Sequence, residues 1–209
     1  VYKARDMTLD RDVAVKVIRA EMFGPAILGR ILERFRREAK ALAKLTHPNI
    51  VSILDYGEYQ GTPYLVMPYF PGGTLKSRVK KPIPYLDAVR LLMPVAQALA
   101  HAHALGIIHR DVKPANILIT RTGEPMLSDF GIAKLLDDEE TRELTGTGVG
   151  IGTPEYMAPE QGMGQADERA DIYALGIVFY ELVTGRIPYR ADTPMAILIK
   201  KREEPLPRP

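Results

Sequence analysis

The 209-residue chain contains no cysteine, which excludes disulfides and thiolate-held metals and fits a reducing compartment. Neither sign of charge dominates. With 28 basic and 26 acidic residues the net charge is +2, so no global field favours nucleic acid or an acidic membrane surface. Long apolar runs are missing too. The most apolar stretch, Ile172–Val183 ("IYALGIVFYELV"), already contains Glu181 and is shorter than the ~20 residues a membrane span requires. Its all-round apolar character predicts a helix buried in the centre of a domain. There is no internal repeat, no low-complexity tract and no leader-like opening, since "VYKARDMTLDRD" is charged from its third residue. No initiator methionine precedes Val1, so the expectation is a piece cut from something longer. What is present is an ordinary globular composition, 46% apolar and 26% charged, at a length suited to one large domain or two small lobes.

The first third reads as strand-rich. Val1–Arg5 and Val13–Ile18 are expected as short strands joined by the polar turn "DMTLDRD", and Ile50–Tyr56 and Thr62–Pro68 as two more around "EYQG". Between the pairs a helical pattern runs from about Ala26 to Leu45, with Ile31, Phe35, Leu42 and Leu45 on one face. "THPN" stops it, because His47 precedes a proline and is biased away from helix. The glycine pair of "YFPGGTL" marks an expected flexible joint near residue 70. Beyond it the pattern is helical over Tyr85–Leu105, interrupted by Pro94 and closed by Gly106, and again over about Ile172–Thr184 and Met195–Arg202. The strand-like "PMLSDFG" and a polar loop, Asp137–Gly152, lie between. The expected class is α+β: a small antiparallel sheet lobe with one helix, and a larger, mainly helical lobe. The cleft between lobes is the natural place for a small-molecule site.

Several charges stand where burial penalises them. Lys16 interrupts "VAVKVI", a strand with no polar face; a lysine there either snorkels from an edge strand or meets an anion. On the next helix the apolar stripe steps 31, 35, 38, 42, 45, which turns Glu38 inward, and one Lys16–Glu38 ion pair would resolve both. Arg34, Arg36, Arg37, Lys40 and Lys44 read as a solvated face of that helix. In "IIHRDVKPANILIT", Asp111, Lys113 and Asn116 sit between two apolar runs, where a loop can aim several side chains at one point. Asp129 closes another apolar segment. Asn116 and Asp129 offer oxygens of the kind Mg²⁺ accepts beside phosphate, leaving Asp111 to take a proton or orient a hydroxyl. Singly, each reads as a turn residue; the four together, with Lys16 and Glu38 upstream, point to a site.

In their order and spacing, "VAVK", "HRDVKPAN", "DFG", "GTPEYMAPE" and "DIYALG" resemble the eukaryotic-like (Hanks-type) protein kinases, most of all the bacterial Ser/Thr kinases of that superfamily, over essentially all 209 residues. The resemblance implies a bilobal kinase domain over residues 1–209, with lobes 1–69 and 70–209, that moves the γ-phosphate of ATP to Ser and Thr hydroxyls of proteins. ATP and Mg²⁺ are the implied cofactors, with Mn²⁺ as a substitute. By resemblance Lys16, held by Glu38, contacts the α- and β-phosphates. Asp111 receives the substrate hydroxyl, Asn116 and Asp129 hold Mg²⁺, and Lys113 neutralises the γ-phosphate. Lys113 and Thr153 favour Ser/Thr over Tyr chemistry in this family. For adenine the resemblance implies Met67 as gatekeeper, the Pro68 carbonyl and the Phe70 amide as hinge contacts, and Val1, Ala14 and Leu118 around the ring. Proline keeps its C=O, so Pro68 is compatible. His109, Phe130, Leu42 and Ile53 fall where the family stacks a spine between lobes. Arg110, Thr145 and Thr147 fall where it orders its activation loop by autophosphorylation.

The family's glycine-rich loop, expected just before "YKARD", is missing, as are its last helices and the arginine partner expected for Glu160. The resemblance therefore implies an incomplete domain that binds nucleotide weakly. Two other functions compete with this one: a pseudokinase-like binding scaffold and a small-molecule phosphotransferase of kinase-like fold. Retention of Lys16, Glu38, Asp111, Asn116 and Asp129 argues against the first. Lys113 and the "GTPEYMAPE" segment, which supports a peptide substrate in kinases, argue against the second. The resemblance also implies a cytoplasmic location, in a parent that relatives anchor in the membrane, and leaves room for a homodimer through the smaller lobe.

Overall fold

The structure, a computed structural model, describes residues 1–18, 25–79, 81–130, 153–163 and 166–209, without the side chains of 25–28, 30, 31 and 34. Alternating apolar and polar residues build an upper sheet. Its strands are β1 (Tyr2–Asp6), β2 (Arg11–Val17), β3 (Asp55–Tyr59) and β4 (Thr62–Pro68), antiparallel in the order β1-β2-β4-β3. A period of two in β4 buries Pro63, Leu65 and Met67, and the register sets Lys16 opposite Leu65 and Ala14 opposite Met67. The β3–β4 hairpin turns on Gln60 (φ 48°) and Gly61 (φ 75°), the pair of positive φ values that matches the strand twist.

Helix α1 (Pro25–Ala43) covers one face of this sheet through Phe35 and Ala39, with Leu42 partly buried. The inward stripe therefore passes through Ala39 and not, as the spacing suggested, through Glu38. Pairing with β4 also begins later than the apolar run at Ile50 implied. Ile50 bridges Leu127 and Val51 N–H donates to Leu127 O at 2.9 Å, while Leu127 N–H returns to Asn49 O at 2.8 Å. Asn49 Nδ2 adds a bond to Pro125 O at 3.0 Å. The backbone of residues 49–51 thus pairs with the lower layer while Val51 packs against the upper core, and β3 starts only at Asp55.

That lower layer contains a two-stranded antiparallel sheet, β5 (Ile117–Ile119) and β6 (Pro125–Leu127), and the helices α2 (Leu75–Arg78), α3 (Tyr85–Ala104), α4 (Arg169–Thr184) and α5 (Pro194–Glu203). Helix α3 runs through Pro94 unbroken, with Ala88, Leu92, Val95, Leu99 and Ala102 inward. It closes as its sequence predicts: Gly106 takes φ +72°, its N–H reaches His103 O and that of Ile107 reaches Ala102 O, both at 2.9 Å. Helix α4 buries Ala170, Ala174, Ile177 and Val178, but Ile172 is 55% exposed, so it is not enclosed all round as its composition suggested.

The glycine pair expected to be a flexible joint is packed. A Cβ on Gly72 would stand 2.2 Å from Ile119 O, and Ile119 N–H donates to Gly73 O at 2.9 Å. Two cores result. Ile18, Phe35, Ala39, Leu65 and Met67 form the upper one; Val95, Leu99, Ile117, Leu127, Val178 and Leu182 belong to the larger lower one; Leu42 packs against both. The architecture is α+β, a small sheet lobe over a helical one.

Candidate active site

The loop that precedes β5 is held from beneath. Asp171, in the first turn of α4, is fully buried. Its Oδ2 accepts from His109 N–H and from the His103 ring, both at 2.8 Å, and its Oδ1 accepts from Arg110 N–H at 2.6 Å. Three donors offset the desolvation that an unpaired carboxylate would suffer there. From the other side, Gln161 Nε2 donates to Arg110 O at 2.7 Å. Gripped at both its N–H and its C=O, Arg110 keeps a left-handed φ of +65°, a conformation that needs such support. Its side chain stays exposed.

His109 is buried beside it. Its Nδ1 accepts from Asp111 N–H at 3.2 Å, so its Nε2 carries the proton and donates to Ser128 O at 2.8 Å. The ring lies 4.6 Å, centroid to centroid, from Phe130. Burial pushes the imidazole pKa down, against the opposing pull of Asp171. Leu42 and Ile53 pack against the upper core.

Asp111, Lys113 and Asn116 do converge. The short turn Pro114–Asn116 folds the chain back, so that Asp111 Oδ2 accepts from Lys113 Nζ at 2.8 Å and from Asn116 Nδ2 at 2.9 Å. Asn116 Nδ2 also donates to Asp111 O at 2.8 Å, and Lys113 Nζ to Thr153 Oγ1 at 2.9 Å. Ser128 then donates twice to Asn116 O, from N–H at 2.8 Å and from Oγ at 2.9 Å. That pair of bonds ties the segment to the Asn116 backbone, and the next residue, Asp129, takes φ +65°. Asn116 spends its amide hydrogens on Asp111, which leaves Oδ1 as an acceptor. Together with the Asp129 carboxylate it makes a set of hard oxygens that could hold Mg²⁺, with phosphate and water completing the shell.

Lys16 reaches this cluster from the upper sheet, but its partner differs from the expected one. Its Nζ lies 2.8 Å from Asp129 Oδ1. Glu38 instead stands 3.5 Å from Arg37, with 39% of its side chain exposed. The cause is helix phase: Ala39 occupies the inward position of α1, so Glu38 lies on the flank of the buried face and the pair with Lys16 does not form.

The residues assigned to an adenine pocket are brought together only in part. Ala14 and Met67 face each other across β2 and β4, and Pro68 opposes Val13. Leu118 lies on β5 below, bridged to Thr74 just past the chain crossing at Phe70–Gly73. Val1 is 78% exposed at the open end of β1. Thr145 and Thr147 lie outside the described residues.

Two residues that position the site escaped the sequence reading. Asp171 did leave a signal, as a carboxylate heading the most apolar run in the chain. Gln161 left none, because an amide that bonds a distant backbone carbonyl produces no pattern.

The model of the family described as protein kinase domain matches residues 1–206. Serine/threonine-protein kinase PknB of Mycobacterium leprae is 44% identical over 99% of this chain and 34% of its own length. Serine/threonine-protein kinase PrkC of Bacillus subtilis is 42% identical over 99% of this chain and 32% of its own length. A probable serine/threonine-protein kinase of Corynebacterium efficiens is 45% identical over 99% of this chain and 32% of its own length. The chain thus spans about a third of the length of the curated relatives it matches.

Proposed function

The chain belongs to the protein kinase domain family, and on that premise we propose that the protein transfers the γ-phosphate of ATP to Ser and Thr hydroxyls of polypeptides. The observation that carries this reading is the single hydrogen-bonded unit made by Asp111, Lys113, Asn116 and Thr153, to which Ser128 attaches Asp129. In it, Asp111 orients the acceptor hydroxyl and receives its proton as the new P–O bond forms and the bond from the γ-phosphorus to the bridging oxygen breaks, with ADP leaving. Lys113, shared between Asp111 and Thr153, places a positive charge beside the phosphoryl group in transit. Lys16 offers its ammonium to the α- and β-phosphates, exchanging Asp129 for them. Asn116 and Asp129 are the residues that would hold Mg²⁺, which when bound draws charge from the phosphate oxygens. Phosphoryl transfer needs little covalent help from the protein, so positioning and charge are what the site has to supply. The adenine roles of Ala14, Met67, Pro68, Phe70, Leu118 and Val1, the regulatory roles of Arg110, Thr145, Thr147 and Thr153, and pairing into a homodimer belong to this proposal as well. So does a cytoplasmic location, where ATP is supplied; among the described residues no helix is long and apolar enough to cross a membrane.

The test is phosphate transfer from labelled ATP to a Ser/Thr-containing protein by the intact protein and its Asp111→Asn variant. The variant should lose about a hundredfold or more of kcat, with an unchanged circular dichroism spectrum, and acid hydrolysis should return phosphoserine and phosphothreonine. Equal turnover by the variant, or transfer only to small alcohols, would overturn the proposal.

A further inference from the structure

Lys201, on α5, is only 8% exposed. Its ammonium donates to three backbone carbonyls, those of Pro154 (2.8 Å), Glu155 (2.7 Å) and Met157 (2.7 Å). Nζ also sits 5.3 Å above the Tyr173 ring of α4. Among the described residues no carboxylate lies within ion-pair distance of it. A buried ammonium without a carboxylate is costly, so the three carbonyls define its purpose. It gathers residues 154–157 around one cation, as a bound metal ion would.

The gathered segment has a particular position. The preceding residue, Thr153, accepts from Lys113, which in turn bonds Asp111 Oδ2. Tyr156, within it, donates its hydroxyl to Glu181 Oε2 at 2.6 Å. One peptide unit and one lysine therefore separate the Lys201 cluster from the reacting carboxylate. We propose that Lys201 is a positioning residue for the acceptor polypeptide: its three carbonyl bonds hold segment 153–157 as a rigid seat beside Asp111. This rests on the phosphoryl-transfer reading above.

Burial pulls the Lys201 pKa down to about 8, with the Glu155 charge opposing. Tyr173, whose ring faces it, is pushed up to about 12 by burial, with Tyr189 and Glu160 adding to the effect, so Tyr173 keeps its proton near pH 8. Above that pH the lysine becomes a neutral amine with two N–H groups, and one carbonyl bond is lost.

The experiment measures KM for a synthetic peptide of residues 141–153 of this chain and KM for ATP, in the intact protein and in Lys201→Met, across pH 7 to 9. Methionine keeps an unbranched stem of similar length and removes every donor. The seat predicts that Lys201→Met raises the peptide KM about tenfold with the ATP KM unchanged. It also predicts that the wild-type peptide KM climbs toward pH 9 while that of the variant stays flat. A residue that only supports the fold would lower kcat and leave both KM values alone, and that result overturns the proposal. If the variant does not fold, the wild-type series decides: a peptide KM flat across pH 8 counts against the seat. Hydrogen exchange gives a reading independent of turnover. Faster exchange in the variant, confined to the amides of Glu155, Tyr156 and Met157, supports the seat, and unchanged exchange there refutes it. A wild-type protein that phosphorylates nothing would sink the functional reading while leaving this exchange result to judge Lys201.

Discussion

His109 has both ring nitrogens committed, one accepting from Asp111 N–H and the other donating to Ser128 O. A second proton has nowhere to go without turning an N–H against the Asp111 N–H. Burial above all holds the folded pKa below the ordinary value of 6.5, with Asp171 pulling the other way. The unfolded ring takes up a proton as pH falls through that value and the folded ring does not, so stability drops on acidification by about 1.4 kcal/mol per pH unit from this group. Urea titrations at pH 7.5 and 5.5 should show a smaller acid loss in His109→Phe than in the wild type, even though the variant starts less stable. At this scale the sequence was informative where a polar or charged group interrupted an apolar run: Asp111 bonds Asn116, Lys16 bonds Asp129, and Ser128 links the two pairs. It misled at Glu38, because a stripe stepping 35, 38, 42 and one stepping 35, 39, 42 are both helical, and only packing selects Ala39.

Elements are fixed here by close approach as much as by pattern. The crossing from β4 to α2 was readable as glycine-rich, yet its meaning was not: Gly72 lies against the backbone of β5, where any Cβ would meet the carbonyls of Ile119 at 2.2 Å and Thr120 at 2.8 Å. Backbone on both sides cannot yield as a flexible side chain would. Gly72→Ala should cost about 2–3 kcal/mol, seen as a lower urea midpoint at unchanged m-value, whereas Gly106→Ala, at a left-handed position with open space around it, should cost about 1 kcal/mol. Helix ends and the hairpin were legible because they follow local backbone chemistry. The start of β3 was not, because Ile50 and Val51 pair with a strand more than seventy residues away, and apolar content does not say with which sheet a segment pairs.

Across the whole molecule, the two cores share Leu42 and the lobes are joined at the site by the Lys16–Asp129 bond. Both partners keep some exposure, at 18% and 27% of their side chains, so an incoming anion and cation can reach them. A triphosphate with Mg²⁺ that engages both residues should stabilise the folded state by about 2.7 kcal/mol at a hundred times its Kd. For a chain of this size that is a rise in Tm of roughly 5–10 °C, and calorimetry of the intact protein should find it with Mg·ATP and find most of it gone in Lys16→Met. The fold class was legible from the change in pattern near residue 70. The grip of Asp171 and Lys201 was not, since both act on backbone atoms distant in the chain. The stitching of residues 49–51 to β6 has a mechanical corollary. If the upper sheet tilts, residues 49–51 stay with the floor that carries Ser128 and Asp129. Lys16 would then travel while the metal-holding oxygens stay put, so tilting would set the headroom over the nucleotide without disturbing the chemistry beneath.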